Sequence, residues 1–575
     1  MNITSYVYKF LDKQQKKKFR FLFFLSILAM IFETLTLASL LPLVASIVNS
    51  NNFNFLTDLF SHFKYEELSP NFFFIILFSV FTIKTFFLIY YNHIKLKFIE
   101  NVKVDQSNNL FLYYLNKPYI FHTKNNSSKL IRNLNEAQAL GYIVRSVIEL
   151  ILETLVLIGI CIFLFFLNFK ITLLAFLIFG VLGLTFQVFI LKKVRFWGEE
   201  RQKYAGLKIK TLQQGFGALK DIFVLNKEDF FKQSFASKNQ NESKFNYRQS
   251  LVITLPKYLF EWIALILIVF FLFYIQLEEK NIILYIPLIS TFALATYRVV
   301  PSIVKIIQAY QGLKYWLPIT KPYIERSLNF KNSKKITKKK NNNDEISKIN
   351  IGKKYNIKIK NLTFGYQKNN PTLKGINLLI KSNSLIGFYG ESGSGKTTLV
   401  NLLIGLLKPD SGNILFNNMD VSKNIKKWLN IISYVPQNVY IIDDSISNNI
   451  AFGHSEKNQD HNKIIKSLKQ VHLYNFIKSL KNGLNTNCGE LGDLLSGGQK
   501  QRLAIARAFY NDSKILIFDE FTNFLDKKNE SLILNDVKNM KNKTRIIISH
   551  DLKVLKRCDY VYKLVNKKLV KIKNL

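Results

Sequence analysis

Six stretches in the first half of the chain are apolar over about 20 residues, the length needed to cross the hydrocarbon core of a bilayer as a helix. They run from about 20 to 48, 71 to 92, 149 to 168, 171 to 191, 259 to 277 and 283 to 305. Only Asn168–Lys170 separates the third from the fourth, so a tight turn is expected there. Lys13, Lys16, Lys17, Lys18 and Arg20 precede the first run, which continues well past signal-peptide length without a small-residue cleavage pattern. It reads as an uncleaved span. From about 327 to 350 the sequence becomes polar and of low complexity, with KNSKKITKKKNNNDEISKIN at its centre, and marks a domain boundary. Beyond it YNIKIKNLTFGY is strand-like, and SLIGFYGESGSGKTTLVNLLIGLL reads strand, glycine loop, helix. The expected organisation is an α-helical six-span transmembrane domain, 1–326, a linker, 327–350, and an α/β P-loop nucleotide-binding domain, 351–575.

Loop charge orients the spans, because Lys and Arg are retained on the cytoplasmic side. Segments 93–148 and 192–258 are rich in both, whereas 49–70 and 278–282 hold one lysine each, Lys64 and Lys280. Both termini are therefore expected in the cytoplasm. The two basic segments are longer than a connection needs and keep helical periodicity on their flanks, so the spans continue outward as long helices. Each then presents a short helix at its tip, one near HTKNNSSKLIRNLNEAQ with Ser127 or Ser128 as helix cap, the other near TLQQGFGALKDIF. Leu56, Leu59, Phe60 and Phe63 fall at helical spacing between the first two spans and predict a short amphipathic helix on the outer side. Glu33, Lys84, Glu149, Glu153, Glu261 and Arg298 are ionisable residues inside the spans. Such groups face a bundle interior or a cavity unless they lie near a span end and snorkel to the interface. Glu149 and Glu261 suit the second description, and Glu33, Lys84 and Arg298 the first.

Composition adds a constraint. Lys+Arg number 80 against 39 Asp+Glu, a formal charge of +41. No compact basic block alternates with exposed aromatics, and six spans exclude a soluble nucleic-acid enzyme. Cys161, Cys488 and Cys558 share no ligand spacing with one another or with histidines, so neither a disulfide framework nor a zinc site is indicated.

Gly390, Glu391, Ser392, Gly393, Ser394, Gly395, Lys396 and Thr397 satisfy G-x-x-x-x-G-K-[ST], with Thr398 following. Glycines let backbone N–H groups curl around phosphates, Lys396 reaches the β and γ oxygens, Thr397 suits Mg²⁺, and the helix N-terminus adds positive field. KILIFDE (514–520) is an apolar strand ending in two carboxylates. Asp519 suits the Mg²⁺ shell and Glu520 is placed to orient or deprotonate an attacking water. ATP and Mg²⁺ are the cofactors these residues call for.

LLSGGQKQRLAIARAF (494–509) narrows the reading, since Ser496, Gly497, Gly498 and Gln499 stand as the signature of the ABC superfamily, which this half of the chain resembles. Tyr366 ahead of the P-loop, Gln437 in YVPQN, CGELGD before the signature, NFLD at 523–526 and His550 in IIISHD follow in that family's order. The resemblance implies that Tyr366 stacks on adenine, Gln437 senses the γ-phosphate and Mg²⁺, and His550 holds the γ-phosphate opposite Lys396. It also implies that the signature of one chain completes the nucleotide site of another, hence a homodimer. Two departures are visible: FTNFLD puts Phe524 where the family has a small residue, and SHDL replaces THRL. Six spans followed by an ATPase domain in one chain resemble an ABC exporter half.

The membrane half is similar to bacterial flippases of lipid-linked oligosaccharides in protein N-glycosylation, on FETLTLASLLPL (32–43), ATYRVVPS (295–302), the outer helix and YVPQNVYIIDDSISNNIAFG. That likeness implies a homodimer in the bacterial cytoplasmic membrane that moves a lipid-linked glycan, with Arg298 and Lys84, and Glu33 beside them, along the headgroup route. Export of another lipid, a drug or a peptide, or a tethered ATPase without transport, are the alternatives.

Overall fold

The computed structural model describes residues 3–41, 43–44, 70–277, 289–317, 354–367 and 370–572. The proposed outer helix, the connection 278–282, the start of the sixth span and the linker 327–350 lie outside them. The chain forms two compact units, Met1–Lys117 with His122–Asn342, and Pro118–Phe121 with Asn343–Leu575.

The first unit is helical: α1 (Ile3–Phe10), α2 (Lys13–Ala38), α3 (Pro70–Leu115), α4 (Tyr119–Lys124), α5 (Ser127–Ala137), α6 (Ala139–Leu167), α7 (Phe169–Gly217), α8 (Leu219–Val224), α9 (Glu228–Leu277) and α10 (Ile289–Leu317). Six helices are long and apolar enough to cross a membrane: α2, α3, α5 running into α6, α7, α9 and α10. With 46, 49 and 50 residues, α3, α7 and α9 each reach about 70–75 Å, more than twice a hydrocarbon core of about 30 Å. The spans therefore continue as the long helices expected from their periodic flanks. Phe78, Phe189 and Trp262 are 75%, 77% and 65% exposed on these helices, positions that suit lipid rather than water. Inward-facing Ala29, Ile143, Val144, Val156 and Ile160 pack α2 and α6 into a core with α3, while Phe179 and Phe260 join α7 to α9 beside Val304 of α10.

Two local expectations shift. The cap of α5 is Asn126 rather than Ser127 or Ser128: its side chain accepts from the Ser128 N–H at 2.9 Å and from Ser128 Oγ at 2.7 Å. Asn is as good an N-cap as Ser, and the first of three candidate polar residues takes the place. The tight turn between the third and fourth spans contracts to Asn168 alone, which ends α6 and caps α7 by accepting from Ile171 N–H at 3.1 Å. Short helices stand where the tips of the basic segments were expected: α4 overlaps the start of the first quoted stretch and α5 lies inside it, and α8 covers the end of the second.

The second unit is α/β. β2 (Leu373–Lys381), β1 (Asn356–Phe364), β4 (Ser411–Phe416) and β5 (Met419–Asp420) form an antiparallel sheet in that order. A second sheet has the order β10 (Lys568–Ile572), β9 (Tyr560–Val565), β3 (Leu385–Tyr389), β8 (Thr544–Ile548), β7 (Ile515–Asp519), β6 (Ile432–Val435), parallel except for β10. β7 and β8 are buried at every position because both faces are covered. Ile515 and Ile517 face one core with β1 and the P-loop helix; Leu516 and Phe518 face the other, with Leu503 and Ile533. Ile120, in the α4 segment that groups with this unit, packs against the first of these cores.

Candidate functional site

In a parallel sheet, ligands bind where the strands end, and most of the chemistry-bearing residues of the second unit follow such ends. The loop 390–395 follows β3 and leads into α11 (Lys396–Ile404); Gln437 follows β6, Asp519 and Glu520 close β7, and His550 follows β8. Gly393 and Gly395 have φ of +81° and +104°, which side chains resist. A Cβ on Gly390 would lie 2.7 Å from Ser394 Oγ. The loop is thus wound tightly enough to need glycine, and Ser394 Oγ is buried without a hydrogen-bond partner. A cradle of backbone with an unsatisfied hydroxyl at a helix N-terminus fits phosphate oxygens.

Lys396 is buried; its ammonium donates to the carbonyls of Gly390 at 2.7 Å and Glu391 at 3.0 Å and lies 3.8 Å from Glu520 Oε1. Around the other carboxylate oxygen of Glu520, Gln437 Nε2 donates at 2.8 Å, Asn523 Nδ2 donates at 3.2 Å and His550 Nδ1 stands at 3.6 Å. Glu520 itself has φ +45°, a strained conformation that turns it out of the strand direction of β7. Asp519, the preceding residue, is fully buried and accepts from Tyr434 OH at 3.1 Å. Burial raises the Asp519 carboxyl above its ordinary range; the Tyr434 hydrogen bond opposes this and the neighbouring Glu520 charge adds to it. Thr397 is exposed and Thr398 buried, with Tyr366 OH 3.4 Å from Thr398 Oγ1. Tyr366 is 46% exposed and stands edge-on to Phe364, so one ring face is open to a flat ligand.

Ser496 caps α12 (Gly497–Tyr510) through a capping box: its hydroxyl accepts from Gln499 N–H at 3.3 Å, and Gln499 Oε1 accepts from Ser496 N–H at 2.8 Å. Ser496 and Gly497 are exposed. The Phe524 backbone accounts for the second glycine, since a Cβ on Gly498 would sit 2.9 Å from its carbonyl oxygen; a Cβ on Gly497 would make only ordinary contact with the Phe524 ring at 3.4 Å. The family departure at Phe524 is thus a ring, 59% exposed, lying against the start of α12.

Known proteins agree with this arrangement. The family described as ABC transporter transmembrane region matches residues 19–280, and the family described as ABC transporter matches residues 373–523. The two matched stretches lie on either side of the linker, and both are ABC transporter regions. Over 221 residues the chain is 40% identical to the ATP-dependent lipid A-core flippase of Wigglesworthia glossinidia brevipalpis, covering 38% of this chain and 38% of that protein. Over 211 residues it is 37% identical to the ATP-dependent lipid A-core flippase of Francisella tularensis subsp. holarctica (strain OSU18), covering 36% and 34%. The chain spans little more than a third of the length of these curated relatives. A solved bacterial Atm1-family ABC exporter with ATP bound shares the fold, with a TM-score of 0.77 over 95% of this chain and 93% of that one at 18% identity.

This chain therefore has an ATPase domain, which implies ATP binding, and a helical membrane region. In that region the buried charges meet. Glu33 on α2 pairs with Lys84 of α3 at 2.8 Å and with Arg298 of α10 at 3.0 Å. Glu153 on α6 pairs with Lys305 at 2.8 Å and Arg298 at 3.7 Å, and accepts from Ser302 Oγ at 2.8 Å. Three cations thus share two carboxylates across four helices. Arg298 Nε is buried without a hydrogen-bond partner. Glu149 and Glu261 instead pair within their own helices, with Arg145 at 2.8 Å and Lys257 at 4.0 Å.

Sequence reasoning brought Lys396, Gln437, Asp519, Glu520 and His550 to one end of the sheet, and left out Tyr434, Asn523, Ser302 and Lys305. Arg298, Ser302 and Lys305 lie at i, i+4, i+7, so helical spacing carried a signal for the last two. Tyr434 sat inside a quoted motif, yet only the β6–β7 pairing aims it at Asp519.

Proposed function

We propose that this chain is half of a homodimeric, ATP-driven exporter that flips an anionic glycolipid from the inner to the outer leaflet of the bacterial cytoplasmic membrane, with both termini cytoplasmic. The observation that carries the proposal is the convergence of Lys396, Gln437, Glu520 and His550 at the strand ends of a chain that also holds six membrane-length helices.

Lys396 and the loop Gly390–Gly395 would hold the ATP phosphates, and Tyr366 would meet the adenine. Asp519, Thr397 and Gln437 supply hard oxygen donors. Among the described residues no group of three or more His, Cys, Asp or Glu could hold a metal alone. That suits Mg²⁺, which is bound by one or two protein oxygens together with phosphates and water. Mg²⁺ would neutralise charge on the phosphates. Glu520 would take a proton from the attacking water, held in position by Gln437 and Asn523, and His550 would steady the γ-phosphate. Ser496 and the exposed start of α12 would complete the site of a second copy. One P-loop and one signature per chain then make two equivalent sites by two-fold symmetry.

Among the described residues the cluster sets three cations against two carboxylates, a positive surplus that fits an anionic headgroup. Both relatives named above are flippases of lipid A-core, and the membrane half resembles flippases of lipid-linked oligosaccharides; each cargo is an anionic glycolipid. We favour the lipid-linked oligosaccharide as the finer assignment. Reconstituted in liposomes, the protein should hydrolyse ATP faster with polyprenyl-pyrophosphate glycans than with lipid A or peptides, and should move the glycan to the outer leaflet. Glu520→Gln should bind ATP and stop turnover, and Arg298→Ala with Lys84→Ala should slow flipping. Full turnover by Glu520→Gln refutes the catalytic assignment; wild-type flipping by the double variant refutes the route.

A further inference from the structure

Two helices that carry the charged cluster also wall a cavity that the proposed headgroup route leaves unused. It has a volume of about 560 Å³ and is walled by α6, α7 and α10. On α10 its lining runs from Phe292 to Tyr310, about 27 Å at 1.5 Å per residue, close to the roughly 30 Å depth of a hydrocarbon core. That volume drawn out over that length is a slot, shaped for a chain rather than a compact molecule. Its threonine hydroxyls are satisfied by backbone: Thr172 Oγ1 donates to Leu164 O of α6 at 2.9 Å and to Asn168 O at 2.7 Å, and Thr296 Oγ1 donates to Phe292 O at 2.8 Å. The rest of the wall is largely hydrocarbon, with Gln187 Oε1 buried there and without a hydrogen-bond partner. Gly180 leaves open space, since a Cβ there would meet no atom within 4 Å.

The slot and the charges share two walls. On α6, Glu153 falls between the lining residues Leu150 and Leu157 at helical spacing, so carboxylate and apolar wall lie on one face. On α10 the stripe Arg298, Ser302, Lys305 stands about 120° around the helix from the stripe Phe292, Ile303, Tyr310. The same two helices thus present a cationic face beside a membrane-length apolar groove.

We propose that this slot takes a hydrocarbon chain of the same anionic lipid whose headgroup meets Lys84, Arg298 and Lys305. The inference rests on the anionic-lipid reading above and adds a tail site to it. Charge decides the occupant: a zwitterionic bilayer lipid gains nothing from the neighbouring surplus of cations.

The test uses the full chain in phosphatidylcholine nanodiscs and a long-chain polyprenyl diphosphate carrying a diazirine at the tail end. The tail should label peptides containing Gly180 and Ile303. Gly180→Leu fills the slot, and Leu is the better helix former, so the variant should fold; a melting temperature at or above wild type checks this. In it, labelling and lipid-stimulated ATP hydrolysis should each fall about tenfold. Labelling within about twofold of wild type in Gly180→Leu, or equally strong labelling by a phosphatidylcholine with the same diazirine chain, overturns the proposal. If the diphosphate tail labels the slot but is not flipped in liposomes, the slot stands and the flippase reading falls. If Gly180→Leu flips it normally, the slot falls and the flippase reading stands.

Discussion

Glu153→Gln tests whether the charge cluster holds the membrane helices together. The substitution keeps the shape and removes one charge from a side chain that is 3% exposed. Among the described residues it leaves Lys84, Arg298 and Lys305 with Glu33 as their acidic partner in the cluster. Losing one member of a buried ion pair costs about 3–5 kcal/mol. Lys305 is 47% exposed and Arg298 22%, so solvent screens part of the loss and about 2–3 kcal/mol is the expected cost. For a unit of this size that corresponds to a melting temperature lower by about 4–6 °C. Because membrane proteins commonly unfold irreversibly, all variants must be scanned at one rate in one lipid. Lys305→Met alone should also destabilise, by removing the partner of a buried carboxylate. The double variant should be more stable than the two single changes added together by at least about 1 kcal/mol, since it deletes one charge of each sign. A melting temperature for Glu153→Gln within about 1 °C of wild type, or strict additivity in the double variant, refutes the assignment of these contacts as a coupled network.

Other outcomes follow from the ATPase domain. Ser496→Ala removes the cap of α12 and should lower stability by about 1 kcal/mol. Ser496→Asn should restore the cap, read in melting temperature, while ATP hydrolysis stays depressed in both because the hydroxyl proposed to complete the site of a second copy is lost. Asp519 has a folded-state pKa above its ordinary range, chiefly through burial. Stability from its protonated form is present at low pH and is lost as pH rises through the folded-state value. Asp519→Asn cannot ionise. In EDTA it should therefore melt above wild type at pH 8, with the gap closing towards pH 4, and it should not hydrolyse ATP. An unchanged gap across that range removes the burial argument.

The parts of the molecule that local pattern dictates were legible in the sequence. Apolar runs long enough for a bilayer have no other use, and glycines at 393 and 395 are needed because their backbone is left-handed. The apolar runs ahead of the glycine loop and of Asp519 marked two of the strand ends that carry nucleotide residues. What escaped was set by tertiary pairing. Glu33 and Glu153 could be marked as ionisable residues inside spans, but their partners come from two other helices, α3 and α10, and nothing in one helix names them. Lys305 was within reach of periodicity; its 47% exposure makes it resemble an ordinary interfacial lysine. The α5 cap moved by one residue because three adjacent polar side chains could serve, and only backbone geometry selects Asn126.

Asn168 is both the end of α6 and the beginning of α7. A joint of one residue has no slack, so the rotational phase of the two helices is fixed where they meet. Each residue inserted into a helix beside it turns the following face by about 100°, which would swing Gly180 and its neighbours away from Leu157. The corner works as a hinge pin that keeps two walls of the slot in register.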